Sequence, residues 1–445
     1  MYPGDTETVY SYFESREGAR FDETVFFGLQ YYLKKYLAGS VVTFQDIVKA
    51  QNFAAKHFGN EELFNREGWM HILKAHKGRL PVRIKAVPEG TVVPTGNVLM
   101  TVENTDPKCF WLTNHLETIL SHMWYSSTVA TLSRRVKQTI KKYLDETAES
   151  DAGLPFMLHD FGFRGTSSVE SAGFGGAAHL VNFLGTDTVA GIELADEYYG
   201  AGVCGHSVPA TEHSVMTSYG PDGEDKIFAE LLREFPTGIL SVVSDSYHIY
   251  RAVSEIIGEQ FRDQILRRDG VFVVRPDSGN PVATTWNVLV ALDDKFGSTV
   301  NDKGYRVLNP KVRVIWGDGI DAAGIDEILA YATKHGGRRR YSAENLVFGM
   351  GGGLLQKVNR DTQRFAFKCS WQQRAGIGHN IYKQPVAGGK GSKPGRLALV
   401  NRNGLTTIPE SMVTSDDENL LETVFEDGKL IKDISFDEVR ENARV

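Results

Sequence analysis

The chain reads as an α/β protein wound on a parallel sheet, and three observations predict it. From about Pro155 onward, short β-branched runs alternate with amphipathic stretches, the rhythm of strands joined by crossover helices. Several of those runs end in the same chemistry, an acid, an arginine or a group of glycines, most fully in VFVVRPDSGNP, Val271 to Pro281. Before this region the pattern is different, mainly helical with a few short β runs. With 445 residues, 41% of them hydrophobic, the chain can bury a large core and divide into two or three domains.

Charge and cysteine usage exclude several classes. A formal net charge of −7 argues against a nucleic-acid partner, whose footprint on a protein is basic. The one basic run, Arg338 to Arg340, is expected in a solvated loop. Cys109, Cys204 and Cys369 offer neither a disulfide framework nor a metal-ligand spacing, which fits a reducing, cytoplasmic compartment. The chain shows no signal peptide and no apolar run of membrane-spanning length, so no membrane partner is expected.

Taken in order, TVYSYFESRE alternates as a strand, and DETVFFGLQYYLKKYL has helical spacing with Asp22 as its expected N-cap. Thr43 caps a second helix with Asp46 three residues on, and a third runs through Leu63, Trp69, Ile72 and Leu73. VRIKAV and VLMTV are short strands punctuated by Pro and Gly. WLTNHLETILSHMWY and TLSRRVKQTIKKYLDET return to helical spacing, the second with a solvated basic face. The expected parallel strands are FMLHD, DTVAGIE, ILSVVSD, VFVVRPD, VRVIWGD and NLVFGM.

Ligands of parallel α/β folds bind at the carboxyl ends of the strands. Those ends carry His159 and Asp160, Asp245, Arg275 and Asp277, Gly317 and Asp318, then Gly349 and Gly351 to Gly353, with Asp187 at the start of DTVAGIE. A buried Arg–Asp ion pair stiffening a turn would explain the Arg275 loop alone. The repetition points instead to one polar rim. WGDGID and FGMGGGLLQK set consecutive glycines where backbone N–H groups can approach a phosphate, although tight turns need glycines too. No GK[ST] follows, so this is not a P-loop. Arg360, Lys368 and Lys383 add cations downstream, and carboxylates beside cations suit a sugar phosphate or diphosphate held with Mg²⁺.

GFGGAA, Gly173 to Ala178, matches a dinucleotide fingerprint by letter, but Ser167 and Glu170 form a capping box that places its glycines inside a helix. They are expected to allow close helix packing. Among the twelve histidines, His213 in HSVPATEHS stands out beside Glu212 and Ser214, with a hydrogen-bonded structural histidine as the plain alternative. His206 and His213 lack a zinc-site spacing.

HDFGFRG, SSVESAG, NFLGTDTVAG, SVPATEHS, SVVSDSYHIY, VVRPDSGNP, GDGID and FGMGGGLLQKVNRD, in this order, resemble the nicotinamide phosphoribosyltransferase family, type II phosphoribosyltransferases of NAD salvage. The similarity covers nearly the whole chain, including ETVFFGLQYYLKKYL and AVPEGTVVPTGNVLMTVENTDP. With it the expected fold class is an irregular parallel α/β barrel, 151–355, and a second mixed α+β domain built from the N-terminal segment 1–150 and the C-terminal segment 356–445. The resemblance implies a homodimer with active sites at the subunit interface. It also implies transfer of phosphoribose from phosphoribosyl diphosphate (PRPP) to nicotinamide, with Mg²⁺ and with ATP as an optional co-substrate. The alternatives are a nicotinate phosphoribosyltransferase and a non-catalytic binding protein on the same fold.

Position by position, the resemblance has Phe161 stack on the pyridine ring and Arg164 meet diphosphate or the nicotinamide pocket. Asp187 would accept the carboxamide N–H, and as a buried carboxylate it would repel nicotinate. His213 matches the histidine that is phosphorylated when ATP hydrolysis is coupled to synthesis, with Asp245 orienting it or contacting ribose. Arg275 would bind diphosphate, and Asp277 would hold ribose hydroxyls or Mg²⁺, whose ligands otherwise stay open. Gly317, Asp318, Gly351, Gly352 and Arg360 would surround the 5′-phosphate. Arg16, Lys368, Lys383 and Lys390 match cations facing the phosphates, some from the neighbouring subunit. Family members usually carry a further N-terminal segment with a tyrosine that stacks on nicotinamide from the partner subunit. This chain begins Met1, Tyr2, Pro3, so either the start is truncated or misassigned or nicotinamide is sandwiched on one side only, and weaker nicotinamide binding is expected for the chain as written. The paired acids and Thr-Gly loop of type I enzymes are absent, since Asp293 and Asp294 precede Lys295 and Phe296 in a helix-like stretch.

Overall fold

The structure is a computed structural model that describes residues 2–335, 339–383 and 391–445. It divides into two compact units, one of Met1–Thr131, Glu197–Ala201 and Asn359–Arg444, the other of Leu132–Asp196 and Gly202–Val358 with Val445. One division point, 131/132, lies inside the long helix Met123–Thr147, and another follows Val358.

The first unit is mixed α+β and draws on both ends of the chain. Its central strand Thr6–Ser15 pairs antiparallel with Phe365–Arg374 on one side and Val98–Asn104 on the other. Val82–Ala86 and Glu422–Glu426 extend the sheet beyond Val98–Asn104. Phe13 and Phe365 stack across it at 5.1 Å within a core that also buries Tyr12, Phe26 and Phe425. Thr43 caps helix Phe44–Phe58 through the Asp46 N–H, as its spacing predicts, and the next helix is Arg66–Ala75, with Leu63 in the 3₁₀ turn before it. Asp22 does not cap a helix. Glu23–Val25 forms a short strand on Val92–Pro94, and the helix Leu29–Tyr32 begins after Gly28. The buried Glu89 takes the capping role from far along the chain, accepting the Gly28 and Gln30 N–H groups at 2.6 Å each and the Tyr199 hydroxyl at 2.9 Å. Gly28 is required here: its φ is 105°, and a Cβ would lie 2.3 Å from Ser126 Oγ.

The second unit is the parallel α/β body. Among the described residues, the six strands of its parallel sheet are β1 (Leu158–Asp160), β2 (Gly185–Thr186), β3 (Thr237–Val243), β4 (Asp269–Arg275), β5 (Val312–Trp316) and β6 (Leu346–Met350), beside a separate antiparallel pair, Ser298–Val300 with Arg306–Leu308. The six pair in the order β2-β1-β6-β5-β4-β3, every pair parallel. The two edges are joined by irregular chain. His206 bridges to Gly185 on β2, and Ala210 bridges to Ser241 on β3. Around these bridges the Thr186 N–H donates to His206 O at 2.9 Å, and the Ser241 N–H donates to Pro209 O at 2.9 Å. The sheet is thereby closed into an irregular barrel, with this segment standing where a further strand would. Trp316, Phe183, Phe228, Phe272 and Phe348 fill the core of this unit.

Two local expectations change. DTVAGIE alternates like a strand, but Val189–Tyr199 is a helix, and only Gly185–Thr186 before it is β. Ala190, Leu194 and Ala195 recur at helical spacing on its buried face, and that burial outweighs the β-branched residues. The preceding helix, Val169–Leu180, contains Gly173, Gly175 and Gly176 as expected, although Ser168 rather than Ser167 caps it, through the Ser171 N–H at 3.1 Å. A Cβ on Gly176 would lie 2.9 Å from Gly191 Cα, so the glycines do serve close helix packing. Among the described residues no helix is long and apolar enough to cross a membrane.

Candidate active site

All six strands point their carboxyl ends the same way, and the rim residues follow from that. Asp187 comes directly after β2, at a carboxyl end; the strand expected at DTVAGIE would have put it at an amino end. Asp245 follows β3, Arg275 ends β4 with Asp277 two residues on, Gly317 and Asp318 follow β5, and Gly351 and Gly352 follow β6. Trp316 Nε1 donates to Asp318 O at 2.7 Å, which pins the GDG turn to the buried indole.

These residues line two adjoining cavities. The first, of ≈ 490 Å³, is polar and includes Arg164, Asp277, Gly317, Asp318, Gly351 and Gly352. The second, of ≈ 300 Å³, runs into the barrel and is largely apolar, with Val208, Ile239, Val271, Val273, Ile315 and Val347 among its walls. Phe161, Asp187 and Arg275 belong to both. The Phe161 ring lies against β6 at Gly349, where a Cβ would be 2.0 Å from its Cε2, and near Gly317, where a Cβ would be 3.1 Å away. Glycine at 349 is what gives this ring its seat.

Arg275 and Asp277 are not a tight pair. Their closest approach is 3.6 Å, Arg275 Nε is buried without a hydrogen bond, and the guanidinium carbon lies 5.9 Å from the Phe161 ring centroid. Asp245 holds the turn instead. Its Oδ2 accepts the Asp277 N–H at 3.0 Å and the Ser278 hydroxyl at 2.5 Å, while Oδ1 meets His213 Nε2 at 3.1 Å. His213 Nδ1 is then 3.9 Å from Asp277 Oδ2. One buried carboxylate therefore positions both the histidine and the loop, and leaves Arg275 and Asp277 facing the cavity.

Asp187 departs from expectation in its setting. It is exposed to the cavity rather than buried, and Ser207 donates to its Oδ1 at 2.5 Å. The buried acid is its neighbour Asp160, whose Oδ1 accepts the Gly162 N–H at 2.7 Å while Oδ2 makes no hydrogen bond. Burial pushes the Asp160 carboxyl up to about 7, against the lowering effect of the Gly162 N–H and the nearby Thr188 hydroxyl. The folded chain thus holds a proton between about pH 4 and pH 7 that the unfolded chain has released, so stability falls as pH rises through that window. Asp160→Asn is expected to match the wild type near pH 4 and to exceed it by roughly 2–4 kcal/mol above pH 7. Denaturant titrations across this range check it, and parallel pH profiles for the two proteins would remove the assignment.

Arg16, Arg360, Lys368 and Lys383 belong to the other unit. There Arg16 Nε donates to Arg364 O at 3.1 Å, and Lys368 Nζ donates to Phe367 O at 2.8 Å. Arg360 and Lys383 are exposed. Lys390 and Arg338 lie outside the described residues.

Residues 156–429 match the nicotinate phosphoribosyltransferase (NAPRTase) family, and residues 1–84 match the nicotinamide phosphoribosyltransferase N-terminal domain. The chain belongs to the nicotinate phosphoribosyltransferase family. It is 46% identical over 453 residues to a nicotinamide phosphoribosyltransferase of Xanthomonas campestris pv. campestris, covering 100% of this chain and 95% of the relative. It is 35% identical over 479 residues to that of Acinetobacter baylyi, covering 99% and 94%. In fold it is similar to a nicotinate-nucleotide pyrophosphorylase from Pyrococcus furiosus (TM-score 0.60, 16% identity, 98% and 88% covered). Human nicotinic acid phosphoribosyltransferase is likewise similar (TM-score 0.57, 17% identity, 99% and 89% covered).

In this member of the nicotinate phosphoribosyltransferase family, the first cavity also has Phe163, Thr188, Gly319, Gln356 and Lys357 in its walls, none of them singled out by strand-end position. Lys357 and Gln356 stand within FGMGGGLLQK, so continuing past the glycines would have found them. Ser207, the partner of Asp187, comes from the irregular closing segment and carries no local signal of that role.

Proposed function

We propose that the chain is a pentosyltransferase that moves phosphoribose from PRPP to nicotinamide, giving nicotinamide mononucleotide and diphosphate. The observation that carries this reading is the wall shared by the two cavities, Phe161, Asp187 and Arg275, with a glycine-lined polar space on one side and an apolar slot on the other. The names of the relatives support it. Nicotinamide would lie on the Phe161 ring with its amide donating to Asp187, whose Oδ1 is engaged by Ser207. PRPP would fill the polar cavity, its 5′-phosphate toward Gly351, Gly352, Gly317 and Asp318, and its diphosphate toward Arg275 and Arg164.

The pyridine nitrogen then forms a bond to the anomeric carbon as the bond from that carbon to diphosphate breaks. Arg275 stabilises the charge gathering on the leaving group, and Asp277 faces the cationic sugar. The nucleophile needs positioning more than activation, which the ring seat supplies. Asp277 and Asp318 present the oxygen donors that suit Mg²⁺, which when bound would neutralise diphosphate charge. His213 Nε2 meets the Asp245 carboxylate, and with the ring proton on that nitrogen Nδ1 would accept the terminal phosphoryl group of ATP as its bond to ADP breaks. We place the reaction in the cytoplasm and in a homodimer, with Arg16, Arg360, Lys368, Lys383 and Lys390 as further phosphate-facing cations.

The test is turnover with PRPP and Mg²⁺, offering nicotinamide and nicotinate side by side, with and without ATP. Nicotinamide is expected to be preferred, since nicotinate would bring a second carboxylate against Asp187. Preference for nicotinate would overturn the substrate, and no turnover of either would leave a binding protein. Asp187→Ser should cut the discrimination by about 10²-fold. His213→Ala should abolish stimulation by ATP and spare uncoupled synthesis; unchanged stimulation would remove His213 from the reaction.

A further inference from the structure

In the first unit, far from strand-end chemistry in sequence, four potential metal ligands converge. His71 lies on helix Arg66–Ala75 and His76 is its C-cap residue. Their Nε2 atoms meet the same oxygen, Asp106 Oδ2, at 2.7 and 2.6 Å. Asp106 is oriented by its own turn: Oδ1 accepts the Lys108 N–H at 2.8 Å and so caps the 3₁₀ turn Pro107–Cys109. That turn delivers Cys109, fully buried, to the same point, and the four donor atoms lie within 4.8 Å of one another.

We propose that His71, His76, Asp106 and Cys109 form a structural site for one Zn²⁺-class ion. Two imidazoles, a thiolate and a carboxylate are a borderline-soft set that suits Zn²⁺ and does not suit Mg²⁺ or Ca²⁺, which take oxygen ligands. Bonds of about 2.0–2.3 Å place tetrahedral donor atoms about 3.3–3.7 Å apart. The present separations, 2.6 Å at the shortest and all within 4.8 Å, lie around that range, and binding would require side-chain rotations that bring the four donors to it. His71, His76 and Asp106 side chains are 25%, 26% and 20% exposed, which leaves a path in from solvent. On binding, each imidazole proton moves to Nδ1, the thiol proton is released to solvent, and Nε2 and Sγ ligate the metal. Four protein ligands leave no open position, so the site would tie the helix to the turn and not perform catalysis.

The spacing of Cys109 from other ligands in the chain does not announce this site, because the His pair and the Asp–Cys pair are 30 residues apart at their nearest. The full chain, produced without a metal-binding tag, is expected to retain about one Zn²⁺ per chain after dialysis, measured by mass spectrometry. Stripping with a chelator should lower Tm, and Zn²⁺ but not Mg²⁺ should restore it. Cobalt-substituted protein should show tetrahedral visible bands and a thiolate charge-transfer band, the latter lost in Cys109→Ser. His76→Gln, at a part-exposed position, should weaken Co²⁺ binding at least about 10-fold even if Cys109→Ser fails to fold. Zinc well below one per chain, or cobalt spectra the same in wild type and His76→Gln, would overturn the proposal and leave two histidines hydrogen-bonded to an aspartate.

Discussion

Arg275→Ala is expected to lower kcat/KM for PRPP by about 10²–10³-fold while leaving Tm nearly unchanged. Both halves of that result follow from the geometry of one loop. The side chain is only 15% exposed and its Nε is buried without a hydrogen bond, so little native bonding is lost with it. What is lost is a cation on the wall between the cavities, where diphosphate charge would gather. The turn itself is held by Asp245, which accepts from Asp277 N–H and the Ser278 hydroxyl. Steady-state kinetics and thermal unfolding of the same preparation check the result. Wild-type turnover with a large fall in Tm would return Arg275 to a structural ion pair.

Gly349→Ala is expected to raise KM for nicotinamide by at least about 10-fold with much less effect on KM for PRPP, at a stability cost of about 1–3 kcal/mol. The added Cβ would stand 2.0 Å from Phe161 Cε2, so the ring must leave its seat. Phe161 follows β1 and its N–H donates to Met350 O at 3.1 Å, so the backbone stays in place while the ring rotates. Kinetics that vary each substrate separately distinguish the two KM values. Equal change in both, or none, would mean that the ring seat does not position the base.

Much of the site is legible in the sequence because its signals are local. Four consecutive apolar residues at Val271 to Val274 make a buried strand, and the polar turn after it has to emerge at the strand's carboxyl end. The same reasoning finds Asp245, Gly317, Asp318 and Gly351. It fails at DTVAGIE, where β-branched residues imitate alternation and the helix follows from burial of Ala190, Leu194 and Ala195 at helical spacing, a face that Gly191 brings close to Gly176. It fails again at Asp22, since the carboxylate that caps the helix is Glu89, about sixty residues away in the chain.

By itself the sequence determined the family, the parallel α/β class and most residues of the polar rim, since period, turn chemistry and ordered motifs are carried by neighbours in the chain. Tertiary structure alone decided that His206 and Ala210 close the sheet, that Asp245 rather than Arg275 holds the loop, and that Asp160 is the buried acid while Asp187 faces the cavity. It also brought Cys109 to two histidines. Each of these depends on burial or on hydrogen bonds between segments distant in sequence, such as the 32 residues separating His213 from Asp245, and no local pattern encodes them.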